Sequence, residues 1–252
     1  MNSIEPNYQL FNQNCNSKFL LLCDHATNRI PEPISKNQLG LTKAQLDQHI
    51  AFDIGAKGTA IELSKNLTAP LITSNFSRLV IDPNRSPEDP TSIMQIYDGA
   101  IIRGNLDLSK AQITYRRKNY YDAYHQEISN FINNKRKERL APCLVSIHSF
   151  TPQLQLGATR PWHIGVLWDK DRRFSDRVIN ELTKYKEICV GKNKPYTGNL
   201  KGDTLSKHGT SNNLLHVLIE IRNDLISDIV GQKKWAKIIE LALKKSIKNI
   251  EE

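Results

Sequence analysis

Short, strongly apolar runs alternate along this chain with longer stretches in which apolar residues recur every three or four positions. Phe19–Cys23 is apolar throughout and empties into Asp24-His25-Ala26-Thr27-Asn28, then Pro31 and Pro33, so it reads as a buried strand ending in a loop. Pro70–Ser74 and Ser77–Asp82 read as two further strands, the second stopped by Pro83 and the Ser86–Pro90 turn cluster. Pro142–Ile147, His163–Trp168, Ile188–Val190 and Leu214–Ile219 have the same character. Between these runs, Thr42 with Gln45 makes a capping-box pattern that opens a helix, continued or followed by a helix over Ile54–Asn66. Ser109–Leu140 predicts a long helix or a helix pair, because Tyr120, Tyr124, Ile128, Phe131 and Ile132 fall at helical steps. Arg173–Tyr185 and a basic amphipathic C-terminal segment are helical as well, and a polar stretch leading to His208 reads as loop. Strands alternating with helices predict an α/β fold with a mainly parallel sheet sandwiched between helices. No repeat or linker interrupts it, so one domain over residues 1–252 is expected.

The composition fits such a fold: 39% of the residues are hydrophobic and 24% charged, enough of each for a core and a solvated surface. The longest apolar runs fall far short of the roughly 20 residues a bilayer span needs, and the first residues lack a basic, then apolar leader. A cytoplasmic protein without a membrane partner is therefore expected. Cys15, Cys23, Cys143 and Cys189 are too scattered for a thiolate zinc site or a disulfide framework. The net charge of +9 raises the alternative of a basic nucleic-acid-binding protein with a non-catalytic α/β core. Its distribution argues against a nucleic-acid partner. The excess sits in Arg116-Arg117-Lys118, Lys135-Arg136-Lys137 and a C-terminal stretch where Trp235, Ile238, Ile239 and Leu241 interleave at helical spacing, as on a solvated helix face. Aromatic residues are not clustered within those stretches.

Three apolar runs end in ionisable groups: Cys23 leads into Asp24-His25, Ile147 into His148, and Ile219 into Glu220. Ligands bind at the carboxyl ends of parallel strands, so groups remote in sequence can meet in one crevice there. Two imidazoles and a carboxylate suit a catalytic zinc site, which also needs a separate carboxylate to take a proton from water. On spacing alone the structural alternative competes. A single histidine after a strand is commonly a hydrogen-bonded core residue, Glu220 can simply pair with Arg222, and no His-Glu-x-x-His pair is present.

Five strings in order raise the weight of the catalytic reading: Cys23-Asp-His-Ala-Thr-Asn-Arg-Ile-Pro31, His49-Ile-Ala-Phe-Asp-Ile-Gly-Ala56, Ser77-Arg-Leu-Val-Ile-Asp-Pro-Asn-Arg85, Ser146-Ile-His-Ser-Phe-Thr-Pro152 and Ile219-Glu-Ile-Arg-Asn-Asp224. Together they resemble the ordered motifs of the N-formylglutamate amidohydrolase family, which is similar in fold to the zinc carboxypeptidases and the acylglutamate deacylases. The resemblance implies a mixed, mostly parallel sheet between helices and a metal-dependent amidohydrolase. It implies Zn2+, or another divalent metal, as cofactor. The implied substrate is a small acidic N-acyl amino acid, foremost N-formyl-L-glutamate, with another N-acyl amino acid or a short peptide as the alternative. His25 and His148 match the two metal-binding histidines. The carboxypeptidase relatives carry a Glu three positions after the first histidine, where Asn28 stands here. The third ligand then falls to Asp53, with His49 next in line. Glu220 matches the general base. Asn84 and Arg85 resemble a pair that grips a substrate carboxylate, for which the planar arginine fork is suited. Arg78 and Arg160 are candidates for a second substrate carboxylate or for the oxyanion, Arg222 would help shape the substrate site, and His125 resembles a further family position.

Overall fold

The strict two-residue alternation of the central runs decides the architecture. Phe19, Leu21 and Cys23 pack with Val145, Ile147, Val217, Ile219 and Ile221 into one core, while Leu20, Leu22, Leu144 and Leu218 belong to a second. Side chains that alternate across a strand can be buried on both sides only when helices cover both faces of the sheet.

The computed structural model describes residues 6–251. In chain order the elements are β1 (Tyr8–Phe11), β2 (Phe19–Cys23), α1 (Lys43–Leu46), α2 (Ala56–Leu67), β3 (Leu71–Ser74), β4 (Ile96–Tyr97), β5 (Ala100–Ile101), α3 (Lys110–Arg116), α4 (Ala123–Lys137), β6 (Cys143–Phe150), β7 (Ile164–Leu167), α5 (Ser175–Leu182), β8 (Val190–Lys192), α6 (Thr204–His208), β9 (His216–Arg222) and α7 (Ile229–Glu251). Seven strands form one mixed sheet in the order β1-β3-β2-β6-β9-β7-β8. The neighbours β3, β2, β6 and β9 are parallel, whereas β1 and β7 join antiparallel at either side. Helices α2, α5 and α7 supply the first core, with Ala60, Leu63, Val178, Trp235 and Ile239. Tyr120, Tyr121, Tyr124, Ile128 and Ile132 supply the second from the α3–α4 segment, which runs through a π-helical turn at Arg117–Asp122. The α/β sandwich expected from the pattern is the fold.

Several details differ from the sequence reading. Ser77–Asp82 is no strand but a buried, irregular turn. Its polar groups bond elsewhere: Ser77 Oγ donates to Ala51 O, and Arg78 Nη2 donates to Asp82 Oδ2 at 2.8 Å, which folds the segment onto itself. Thr42 and Gln45 do form a capping box, but α1 lasts only one turn before irregular chain carries His49 and Asp53 to α2. The polar stretch before His208 contains α6, capped by the Asp203 side chain. Strand β1 and the β4–β5 hairpin escaped the pattern because they are short and only partly buried.

Candidate functional site

Because β2, β6 and β9 run parallel and adjacent, the residues at and just beyond their carboxyl ends collect at one edge of the sheet. His148 of β6 and Glu220 of β9 stand directly opposite each other in the ladder, on the sheet face that carries Leu144 and Leu218. His25 lies just past β2, with its ring centroid 4.9 Å from that of His148 in an edge-to-face arrangement. Asp53 arrives from the loop before α2. Its Oδ2 lies 3.3 Å from His25 Nδ1 and 2.8 Å from His148 Nδ1, and all three residues are buried. Gly55, two residues on, makes this approach feasible. Its φ is +79°, and a Cβ there would fall 2.1 Å from Ile226 O.

The opposite nitrogen of each imidazole meets its own carboxylate. His148 Nε2 lies 2.9 Å from Asp24 Oδ2, and His25 Nε2 lies 2.7 Å from Asp82 Oδ1. Asp24 also accepts from Ser146 Oγ, Tyr124 OH and Thr204 Oγ1, so one carboxylate ties β6, α4 and α6 to the histidine. Asp82 also accepts from Arg78 Nη2 and from the Asn84 backbone N–H. Arg78 Nη1 lies 3.4 Å from Asp53 Oδ1, and its guanidinium sits 5.4 Å from the centre of the Tyr97 ring.

The charges of this cluster define what it can hold. Three buried carboxylates face one guanidinium, leaving two negative charges to neutralise, and a buried charge left unpaired is costly. Two imidazolium protons would do so, and so would one divalent cation at the two Nδ1 atoms and Asp53. His25, Asp53 and His148 offer three ligand atoms within 4.8 Å of one another. Two imidazoles and a carboxylate, each imidazole oriented by a second carboxylate, are the donor set and surroundings of a catalytic divalent metal. Burial, and for His25 also Arg78, pushes the two imidazoles toward neutrality, but the facing carboxylates win and hold both above the ordinary histidine range. Burial also raises the Glu220 carboxyl to about 7, against the pull of His148. Its Oε2 is buried and has no hydrogen-bond partner among the described residues.

A cavity of about 350 Å³ opens over these groups. His25, His49, Asp53, Arg78, Asn84, Arg85, His148 and Glu220 all line it. His49 Nε2 is 3.1 Å from Asp98 Oδ2 but not aligned for a hydrogen bond, and it stands apart from the cluster of three ligand atoms. Asn84 Oδ1 accepts from Thr204 N, which fixes the segment leading to Arg85. The three remaining candidates lie outside the lining. Arg160 donates to Thr151 O and Tyr196 OH, and so braces two residues of the wall. Arg222 forks onto Asp224 at 2.8 and 3.2 Å. His125 lies behind the site, with Nε2 2.9 Å from Pro83 O and Nδ1 2.8 Å from His208 Nε2. Since a carbonyl only accepts, Nε2 of His125 carries its proton and His208 donates to Nδ1. Burial keeps this pair neutral, His125 pushed down to about 3 and His208 to about 4.

Asp24, Asp82, Tyr196 and Asp203 are additions that the sequence reading did not assign to the site. Asp24 and Asp82 had a signal, since an acid adjoins His25 and another precedes Asn84-Arg85. Tyr196 and Asp203 had none, lying in a stretch read as loop.

Known proteins place the chain. A solved gene product of Agrobacterium tumefaciens shares 33% of its sequence, with a TM-score of 0.94 over 100% of this chain and 99% of that one. The N-formylglutamate amidohydrolase of Ralstonia eutropha JMP134 shares the fold, with a TM-score of 0.67 at 19% identity over 96% of this chain and 98% of that one. No functionally curated sequence matches. Residues 17–227 match the N-formylglutamate amidohydrolase family, and the chain belongs to that family.

Proposed function

We propose that this protein is a metal-dependent amidohydrolase that cleaves the amide bond of an N-acyl amino acid, releasing a carboxylic acid and the free amino acid. The observation that carries the reading is the meeting of His25, Asp53 and His148 around one point, with Glu220 opposite His148 in the sheet. A divalent cation held by these three residues, zinc foremost, would polarise the acyl carbonyl and lower the pKa of a water to about 7.

The chain's own groups do the rest. Asn84 and Arg85 receive the substrate carboxylate, and Arg85 Nε is buried with no hydrogen-bond partner among the described residues. That anchor fixes the acyl group over the reaction centre, so binding remote from the reacting bond orients it. Glu220, buried and near neutrality, takes a proton from the attacking water and returns it to the departing amine nitrogen. Arg78 lies beside Asp53 and favours the negative charge that builds on the acyl oxygen. When the acyl group is formyl the acid released is formate, and N-formylglutamate is the reference substrate for the first assay.

Two variants separate binding from chemistry. His148→Ala is expected to lose the metal, measured by elemental analysis of purified protein. Glu220→Gln is expected to keep it while hydrolysis of N-acyl amino acids falls by about 10²–10⁴-fold. Unchanged metal content and turnover in both variants would exclude the assignment.

A further inference from the structure

Asn84 and Arg85, the proposed anchor of the substrate carboxylate, stand on a turn that belongs to no helix or strand. Resting on that anchor, we infer that His125, with its proton fixed by His208, is the positioning residue that sets it.

Three contacts hold the turn. Asn84 N donates to Asp82 Oδ1 at 2.8 Å, Asn84 Oδ1 accepts from Thr204 N at 3.0 Å, and Pro83 O accepts from His125 Nε2 at 2.9 Å. With Oδ1 taken, Asn84 has its Nδ2 amide left for a ligand. Thr204 Oγ1 also lies 3.4 Å from Pro83 O, but its single proton goes to Asp24 Oδ1 at 2.8 Å, because a carboxylate only accepts. The Pro83 carbonyl, one residue before Asn84 and two before Arg85, therefore depends on His125.

His125 can donate there because His208 decides its tautomer. A neutral imidazole has one N–H, and His208 Nε2 donates to His125 Nδ1 at 2.8 Å, which leaves the proton of His125 on Nε2. Thr204 and His208 lie about one turn apart on α6, so a single helix face holds both the Asn84 side chain and the ring behind Pro83. The Tyr121 ring, 4.2 Å from that of His125 between centroids, confines it further. Burying two imidazoles carries a desolvation cost that apolar side chains of similar size would avoid. What the pair adds is a directed donor at the carbonyl beside the anchor. Among the described residues, no hydrogen bond joins either ring to His25, Asp53 or His148.

The test reads ligand binding, metal content and turnover separately. N-formylglutamate is titrated calorimetrically into zinc-loaded protein carrying Glu220→Gln, in which the ligand survives, and turnover is measured with Glu220 intact. Adding His125→Leu, which fills the space without a donor, is expected to weaken binding on the order of tenfold. Zinc content and kcat are expected to stay as they were. His125→Gln, whose amide nitrogen can donate to Pro83 O, should restore most of the affinity. His208→Leu, which leaves the tautomer of His125 unfixed, should weaken binding in the same direction, and it carries the test should His125→Leu fail to fold. In an Arg85→Ala background the effect of His125→Leu should be much smaller, because it acts through the anchor. An undiminished effect there, or zinc content falling together with binding, would overturn the inference and leave the anchor standing. So would binding that Arg85→Ala weakens and the two histidine variants do not. Binding that Arg85→Ala leaves unchanged, or no binding before any histidine is altered, would overturn the anchor and the inference with it. The expected binding pattern without turnover when Glu220 is intact would support the positioning role and reject the hydrolytic reading.

Discussion

At the scale of the residue, the candidate site depends on two carboxylates, Asp24 and Asp82, that lie outside the cavity lining and hold its histidines. Asp24 holds His148 by Nε2 and thereby presents Nδ1 to Asp53. Asp24→Asn removes that charge but keeps the size, and is expected to weaken zinc affinity by about 10–100-fold, measured by competition with a chelator. An unaltered affinity would show that Ser146 and its neighbours position His148 unaided. The histidines and Glu220 were legible in the sequence because polar groups that cut off apolar runs are conspicuous. The role of Asp24 was not. A residue beside His25 in the chain serves a histidine 124 positions away, and only pairing of β2 with β6 brings them together. Arg222 shows the opposite case: its nearest acid is Asp224, two residues on, and that local pair outcompetes a role in the cavity.

At the scale of the element, Gly55 is the point where conformation and chemistry meet. It caps α2 with a left-handed φ, and its missing Cβ leaves room for the backbone of Ile226. Gly55→Ala combines conformational strain of about 1–2 kcal/mol with a clash of about 1–3 kcal/mol. Chemical denaturation should therefore show a loss of several kcal/mol, with metal binding falling alongside because Asp53 is carried by the same turn. A loss below about 1 kcal/mol would mean that α2 and Ile226 can separate freely. The main strands and helices were legible from periodicity, which reports burial on two faces or one. Ser77–Asp82 misled for a physical reason. It is as buried as a strand, but its polar groups are satisfied by side chains and neighbouring loops instead of a ladder.

At the scale of the whole molecule, four segments from separate parts of the chain share one charge balance, so the proposed metal binding should depend on pH. Without a cation, the facing carboxylates overcome burial and raise the affinity of His25 and His148 for protons. That contribution to stability is complete below the unfolded histidine value near 6.5 and is lost as pH rises through the folded values. A cation needs the deprotonated nitrogens, so zinc should bind more tightly, with less proton displacement, as pH rises. Thermal melts with and without zinc between pH 6 and 8 should show a gain in Tm that widens with pH. A gain independent of pH would place the metal elsewhere. The +9 charge of the chain plays no part in this balance. Much of it lies on helix surfaces, where pairs such as Lys237 and Lys244 with Glu240 contribute little. Among the described residues, no helix is long and apolar enough to cross a membrane.

The sequence by itself determined the alternation that buries β2, β6 and β9 on both faces, the helices that cover them, and the ionisable residues at their ends. These are properties of a residue and its near neighbours, and periodicity carries them. Only the tertiary structure decided which carboxylate faces which histidine, that Asp53 and not His49 joins the cluster of ligand atoms, and that Arg85 Nε has no hydrogen-bond partner among the described residues while Arg78, Arg160 and Arg222 are engaged. Those outcomes depend on distances between segments a hundred or more residues apart in places, and strand order and loop packing set such distances.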